Sequence, residues 1–487
     1  MAAAWLWEGN YKVKTNRFLH NRSAILISGL FILHLLGMLY SSDIPYGLND
    51  IRVKIPLLCL PFMMASFEPL EPKQVKHLLL FLVLSVLTST LISTGVLLGI
   101  VHHEYHDIRE ISLFISHIRL SLLICFCIYT CAYYAFHSPE KLYKFISAII
   151  ILWFIFFLLI LKSATGIVIL TVSGWLFALW KVCSHPARTI RLGGTLLVIV
   201  IPLLLMVLIK QEEKRITTIH REYSLKYPIR TERGNLYENY PEKNNDYENG
   251  YPIWISLCLP EAKEAWNKKS NIDFNGFDKK GQQIRYTLIR FLTSKGKRKD
   301  YTAVMELSPE EVHLIESGTT NVNYSGVFNF KGRMDQILWD INNFQIGGNP
   351  NGHTLAQRFE FWKVGKAIFL QHPYTGVGTG DVQKAFDEEY EKRNSLLEKS
   401  KRLHAHNQFF TFAIAFGIFG FLYFVAVLIF PFLEYKKLPF LYIVFFMIAF
   451  LSMFWEDTLE TQAGVTFYTF LNCFLLFNLG SKKELSK

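Results

Sequence analysis

The sequence predicts an all-α polytopic membrane protein of about ten transmembrane helices, interrupted by one large, mainly helical extramembrane insert. Three observations carry that expectation: the composition, the clustering of apolar residues, and the length of the polar interval between the clusters. Of 487 residues, 51% are hydrophobic and 15% aromatic, 41 of them Phe, while only 19% are charged, against about 25% in soluble domains. Mean hydropathy is +0.23, which excludes a disordered or fibrous chain. The apolar residues fall in two blocks, Ala24 to Ile209 and Phe409 to Leu479, with polar sequence between them.

A bilayer core needs roughly 20 apolar residues per helix. Seven such segments precede the insert: Ala24 to Tyr40, Ile55 to Ser66, His77 to Ile100, Ile118 to Phe136, Leu142 to Leu161, Thr165 to Lys181 and Gly194 to Ile209. Asn407 to Phe430, Leu438 to Trp455 and Thr461 to Leu479 follow it. The second segment is the weakest, being short and interrupted by Pro56 and Pro61. The expected organisation is therefore residues 1–23 as an N-terminal tail, 24–209 as seven spans, 210–404 as the insert, 405–480 as three spans and 481–487 as a C-terminal tail. No cleavable signal peptide is expected, because the first apolar run lacks a small-residue cleavage site.

Basic residues favour the cytoplasmic side of short loops. Lys12, Lys14, Arg17, Arg22, Lys73, Lys76, Lys141, Lys144, Lys181, Arg188, Arg191, Lys436, Lys437, Lys482, Lys483 and Lys487 fall on one side of the alternating spans. The other side holds only Arg52, Lys54, Arg109, Arg119 and Lys162, so both termini are expected in the cytoplasm and the insert outside. Arg52, Lys54, Arg119 and Lys162 sit at helix ends against this bias. Each either snorkels to lipid headgroups or joins the others in binding an anionic group, such as a lipid diphosphate, at the outer surface. The net charge of +11 is compatible with anionic lipid or a phosphorylated substrate, and in a membrane setting it does not point to nucleic acid.

Within the insert, Glu261 to Lys269, Gln282 to Ser294, Pro309 to Ser317, Met334 to Phe344, Thr354 to Gln371 and Val382 to Lys401 carry helix-compatible patterns. Turns are expected at Asn275-Gly276, Gly347-Gly348 and Asn351-Gly352. Arg221 to Tyr251, rich in Tyr, Asn, Glu and Pro, reads as a solvated linker or a glycan-facing surface. Cys258 is the insert's lone cysteine, so no disulfide staples it internally.

The most specific stretch runs from Arg358-Phe-Glu-Phe-Trp362, through His372-Pro-Tyr-Thr-Gly376-Val-Gly378-Thr-Gly380-Asp381, to His404-Ala-His406-Asn407-Gln408 and Gly417-Ile-Phe-Gly420. This order resembles the O-antigen ligase and O-antigen polymerase superfamily. Glu248-Asn249-Gly250, Arg290 to Lys295 and Lys299-Asp300 further resemble its Bacteroidetes-type branch. The resemblance implies a GT-C-like glycosyltransferase of the bacterial inner membrane, with a periplasmic loop domain. Its donor would be an undecaprenyl-diphosphate-linked glycan and its acceptor a lipid A-core hydroxyl, and transfer would be inverting, without cofactor or metal.

An acceptor hydroxyl needs a base, and histidine suits neutral pH. His406 matches the family's His-Asn position, the alternative being a capping or packing histidine. Arg358 matches the family's loop arginine and would hold the departing diphosphate through its forked guanidinium; it could also stack on Trp362 four residues on. Arg402 is a second candidate. Where many members carry an arginine, this chain has Ala164 within Lys162-Ser163-Ala164-Thr165-Gly166, leaving Lys162, or Arg119 with Lys54, to supply the charge. Gly376, Gly378 and Gly380 lack the Lys-Ser/Thr of a nucleotide loop. They form either a purely structural turn or one whose amides approach an anion. Metal chemistry has little support, since no Asp-x-Asp occurs and His102, His103 and His106 lack further ligands at a regular spacing.

The leading expectation is an O-antigen ligase. A polymerase or a protein O-oligosaccharyltransferase would keep the chemistry and change the acceptor. A membrane transporter or flippase would explain the spans, but neither the large insert nor His406.

Overall fold

The computed structural model describes residues 2–105, 108–217, 229–240, 247–324 and 354–482, with single positions between 332 and 351. It is mostly helical and divides into two compact units, residues 1–181 with 349–487, and residues 182–348.

In the first unit, α1 (Ala2–Trp7) and α2 (Tyr11–Leu19) precede α3 (Arg22–Met38), with an 88° bend between α2 and α3. Asn21 caps α3, its side chain accepting from the Ala24 amide. Next come α4 (Ile44–Lys54), α5 (Pro56–Ser66), α6 (Pro72–Leu97), α7 (His117–His137), α8 (Lys141–Ile160) and α9 (Ala164–Cys183). The second unit contains α10 (Arg188–Thr217), the two-stranded β1 (Tyr247–Glu248) and β2 (Tyr251–Pro252), and α11 (Leu259–Lys269), α12 (Ile284–Ser294), α13 (Tyr301–Met305) and α14 (Pro309–Glu316). The chain then re-enters the first unit with α15 (Thr354–Gln371), α16 (Val382–Lys392), α17 (Gln408–Glu434), β3 (Tyr435–Lys437), α18 (Phe440–Met453), α19 (Gln462–Leu479) and β4 (Ser481–Lys482).

All ten apolar segments fall on helices, but they are not equal. Among the described residues, six helices are long and apolar enough to cross a membrane: α6, α7, α8, α9, α17 and Arg188–Gln211 of α10; the bent α2–α3 pair makes a seventh if counted as one span. The segment expected as span two is the 11-residue α5. It reaches only about half the ~30 Å hydrocarbon core, because Pro56 starts a new helix and Lys54 ends the one before. At 14 residues, α18 is also short. The second compact unit, residues 182–348, is shorter than the expected insert of residues 210–404. Residues 349–404 belong to the first unit, since Phe361, Val364, Ile368, Phe386 and Tyr390 are buried in the core that Phe412, Phe445 and Tyr468 also build.

A break in α17 shapes this core. Gly417 has φ 63° and ψ −161°, so two helical segments meet there. The His372–Asp381 turn plugs the gap and takes up the backbone groups that the break frees. The Val377 amide donates to Ile414 O (3.0 Å), the Gly378 amide to Ala415 O (2.9 Å) and the Ile418 amide to Pro373 O (2.8 Å). Gly376 must approach the Ala415 backbone so closely that a Cβ would lie 2.3 Å from its carbonyl carbon. At the opposite end of α17, β3 pairs antiparallel with β4, and the Glu434 carboxylate accepts from the Ser23 hydroxyl. These contacts tie the α17 and α19 C-termini to the start of α3.

The second unit has its own core around Trp266, Leu288, Phe291 and Ile315. Asn249 and Gly250, both with positive φ, make the tight hairpin turn between β1 and β2. Buried Glu248 holds Arg290 (2.5 Å) and the Asn321 amide (2.8 Å). Lys299 is buried against the carbonyls of Pro252 and Ile255, and Asp300 caps α13 through the Ala303 amide. The motifs noted here in the sequence thus serve the hairpin and the packing of this unit. The expected helix Met334 to Phe344, the turns at Gly347-Gly348 and Asn351-Gly352, and much of Arg221 to Tyr251 lie wholly or partly outside the described residues.

Gly417→Ala should lower the melting temperature of the detergent-purified protein. The left-handed backbone alone costs about 1–2 kcal/mol, and the new Cβ would lie 2.1 Å from Tyr374 O. Gly174→Ala, whose Cβ meets only Tyr129 Oη at 3.6 Å, should leave melting within about a degree, as a compatible Gly→Ala change does.

Candidate functional site

Five pieces of chain come together at one end of the first unit's helices: the end of α4, the first turn of α7, the first turn of α15, the start of α17, and the Trp455–Glu460 connection between α18 and α19. That connection packs Glu456, Asp457 and Glu460 into a few residues, each with little solvent exposure. Buried carboxylates demand partners, and every partner comes from another element.

Glu456 receives Arg358 on one oxygen, with Nη2 to Oε1 at 2.7 Å. Its other oxygen, Oε2, lies 3.8 Å from His406 Nδ1, an ion-pair rather than a hydrogen-bond distance. Burial would raise the Glu456 carboxyl, but the facing His406 and the Arg358 charge outweigh it and hold the group below the ordinary carboxylate range. Asp457 behaves oppositely: burial pushes it up despite the nearby His406. Its Oδ2 accepts the His406 backbone amide (3.0 Å) and its Oδ1 the Thr411 hydroxyl (2.7 Å). The His406 backbone is left-handed, at φ 45°. Asn407 then caps α17, accepting from the Phe410 amide and donating to Phe454 O. The imidazole remains about a third exposed, beside the Phe361 ring at 5.6 Å.

The two principal sequence candidates, His406 and Arg358, therefore converge on one carboxylate. The aromatic neighbour of Arg358 differs from expectation. Its guanidinium lies over Trp455, at 5.9 Å, while Trp362 donates its indole N–H to Ala405 O. Arg119 joins the group from α7, donating Nη2 to Asp457 O (3.2 Å) within electrostatic reach of Glu456. It is 5% exposed, and its Nε and Nη1 have no hydrogen-bond partner among the described residues. Unpaired buried guanidinium donors are costly to leave unsatisfied.

The other candidate cations are placed differently. Lys54 is fully buried and donates to Glu460 (2.8 Å) and Leu459 O (2.5 Å), with Asp50 at 3.1 Å, which leaves no N–H for a phosphate. Arg402 is held by Glu391 (2.5 Å) and Leu397 O (3.1 Å). Arg52 is exposed and reaches Asn49. Lys162 is exposed beside Ala164. The glycine turn also loses its anion-facing reading. The Gly378 amide serves Ala415 O, the Gly376 amide serves His372 O, and the Gly380 amide donates to Ser41 Oγ (2.9 Å). Asp381 accepts from Ser42 and Asp43, pinning the turn to the start of α4.

Beside the site, a cavity of about 20 Å³ is bounded by His34, Tyr46, Asp50, His404, Thr411 and Glu460 among others, room for about one water. Among the described residues no group of three or more His, Cys, Asp or Glu is placed to hold a metal ion; His106 lies outside them. The sequence reading passed over Glu456, Asp457 and Glu460. Their signal was present as three carboxylates crowded between two apolar segments.

Residues 318–425 match the family described as O-Antigen ligase, a stretch that covers Arg358, the glycine turn, His406 and the break at Gly417. No curated protein matches the chain. The match supports a likeness to the O-antigen ligase and polymerase superfamily over the segment that carries Arg358 and His406.

Proposed function

We propose that the protein is an O-antigen ligase. It transfers a preassembled glycan from undecaprenyl diphosphate to a lipid A-core hydroxyl, on the periplasmic face of the bacterial inner membrane. The proposed topology has both termini in the cytoplasm. The observation that carries the reading is the convergence of His406 and Arg358 on Glu456, beside a buried Arg119 with unpaired donors.

In the proposed step His406 takes the proton of the acceptor hydroxyl. The acceptor oxygen attacks the anomeric carbon, the bond from that carbon to the diphosphate oxygen breaks, and the configuration inverts. Glu456 faces the imidazole across 3.8 Å and also holds Arg358. Arg358 takes up the charge growing on the leaving diphosphate, and the buried Arg119 adds positive charge behind it. No residue in this scheme requires a metal. Lys54, Arg402, Arg52, Lys162, Gly376, Gly378 and Gly380 are left out of it, because their groups are engaged elsewhere or stand exposed outside the cluster.

The test is transfer of labelled glycan from carrier lipid to purified acceptor. Lipid A-core as acceptor should support turnover, whereas product only with a second carrier-linked repeat would make the enzyme a polymerase. His406→Ala should lower turnover about a hundredfold or more, the range for loss of a general base; unchanged turnover would remove His406 from the mechanism. Arg358→Lys should cost about tenfold or more, because a point charge replaces a fork.

Glu456→Gln should also lower turnover. Because the Glu456 carboxyl is held below 4.5, its stabilising contribution is present above that pH and is lost as the pH falls through the depressed value. The variant's melting temperature should therefore fall less steeply than wild type as the pH drops below 4.5, as read by thermal melts in detergent.

A further inference from the structure

The basic residue Lys54 stands where the sequence suggested a phosphate ligand, yet its surroundings describe another task. Its ammonium has three N–H groups and three oxygen acceptors around it: Leu459 O at 2.5 Å, Glu460 Oε2 at 2.8 Å and Asp50 Oδ1 at 3.1 Å. With no exposure, it has neither a free donor nor a path to solvent. Glu460 in turn holds α17: its Oε1 accepts from Gln408 Nε2 (3.3 Å), and Gln408 Oε1 accepts the Leu459 amide (2.6 Å). Gln408 lies two residues after His406. Three and four residues before Glu460 on the same short connection are Asp457, which fixes the His406 backbone, and Glu456, which faces both His406 and Arg358.

We propose that Lys54 is a positioning residue: it clamps the Trp455–Glu460 connection to α4 and so sets where Glu456 and Asp457 hold His406 and Arg358. This inference rests on the transferase reading above. The physical argument is one of charge. Glu456, Asp457 and Glu460 repel one another within five residues, and each is stabilised by cations or donors from a different helix. Removing Lys54 leaves Asp50 and Glu460 as facing, uncompensated buried carboxylates. The adjoining cavity, with Asp50 and Glu460 in its wall, gives them space to move apart. The connection would then shift, and the base with it.

The experiment compares Lys54→Met, Lys54→Arg and the charge-balanced Lys54→Met/Glu460→Gln pair, in full-length protein in nanodiscs. In the single Met variant, kcat should fall about a hundredfold, the cost of misplacing a catalytic group by about an ångström. Donor KM should stay unchanged, and amide exchange across residues 454–464 should rise. The double variant should regain most of the lost kcat and the slow exchange, and Lys54→Arg should lie between. A rise in donor KM that Glu460→Gln does not rescue would overturn the proposal, since it would mean that Lys54 touches the donor. So would exchange in 454–464 that is indifferent to Lys54. If wild type itself fails to transfer glycan, the transferase reading falls; the exchange measurement still tests the clamp by itself.

Discussion

The site depends on one short acidic connection being kept buried. Glu456, Asp457 and Glu460 sit between two apolar helices, where unpaired carboxylates would be intolerable. Arg358 from α15, Arg119 from α7 and Lys54 from α4 make the arrangement possible. In return the connection immobilises those cations, through carboxylates for Arg358 and Lys54 and through the Asp457 carbonyl for Arg119; their long side chains would otherwise sample many rotamers. His406 is added to this lattice through its backbone as much as through its ring: the Asp457 carboxylate stabilises a left-handed residue that its own sterics disfavour. The imidazole is thus aimed by its main chain and stays partly open to the outside.

A second constraint supports the first. A helix that breaks inside an apolar core exposes carbonyls and amides that lipid cannot satisfy. The protein meets this at Gly417 by inserting the glycine turn, whose backbone groups replace those lost. The same turn is tied by Asp381 to Ser42 and Asp43, just before α4. Helix α4 is therefore held near its start by the turn and at its end by the Lys54 clamp. Both attachments lead back to α17, on which His406 stands.

Much of this was legible in the sequence. Apolar run length located ten helices because burial in lipid imposes a simple compositional rule. His406 and Arg358 were legible through their order around the glycine turn. Span competence was less so: α5 is apolar enough yet only 11 residues long, since two prolines and Lys54 limit it. The partners of Lys54 were not legible, because an unpaired charge at a helix end and a paired one look alike until the facing residue, some 400 positions later, is in place. The glycine turn was readable as a tight turn but not as a plug, because its partner is a break within an otherwise continuous apolar helix. The acidic connection carried a visible signal, three carboxylates between two apolar segments, that becomes informative only when their burial is known.

The unit holding the site is assembled from two stretches of chain separated by the 182–348 unit. Lys54 and Arg119 belong to the early stretch; Arg358, His406 and the carboxylates belong to the late one. During synthesis Lys54 and Arg119 are therefore made before Asp457, Leu459 and Glu460 exist, and among these partners only Asp50, four residues before Lys54, is already present.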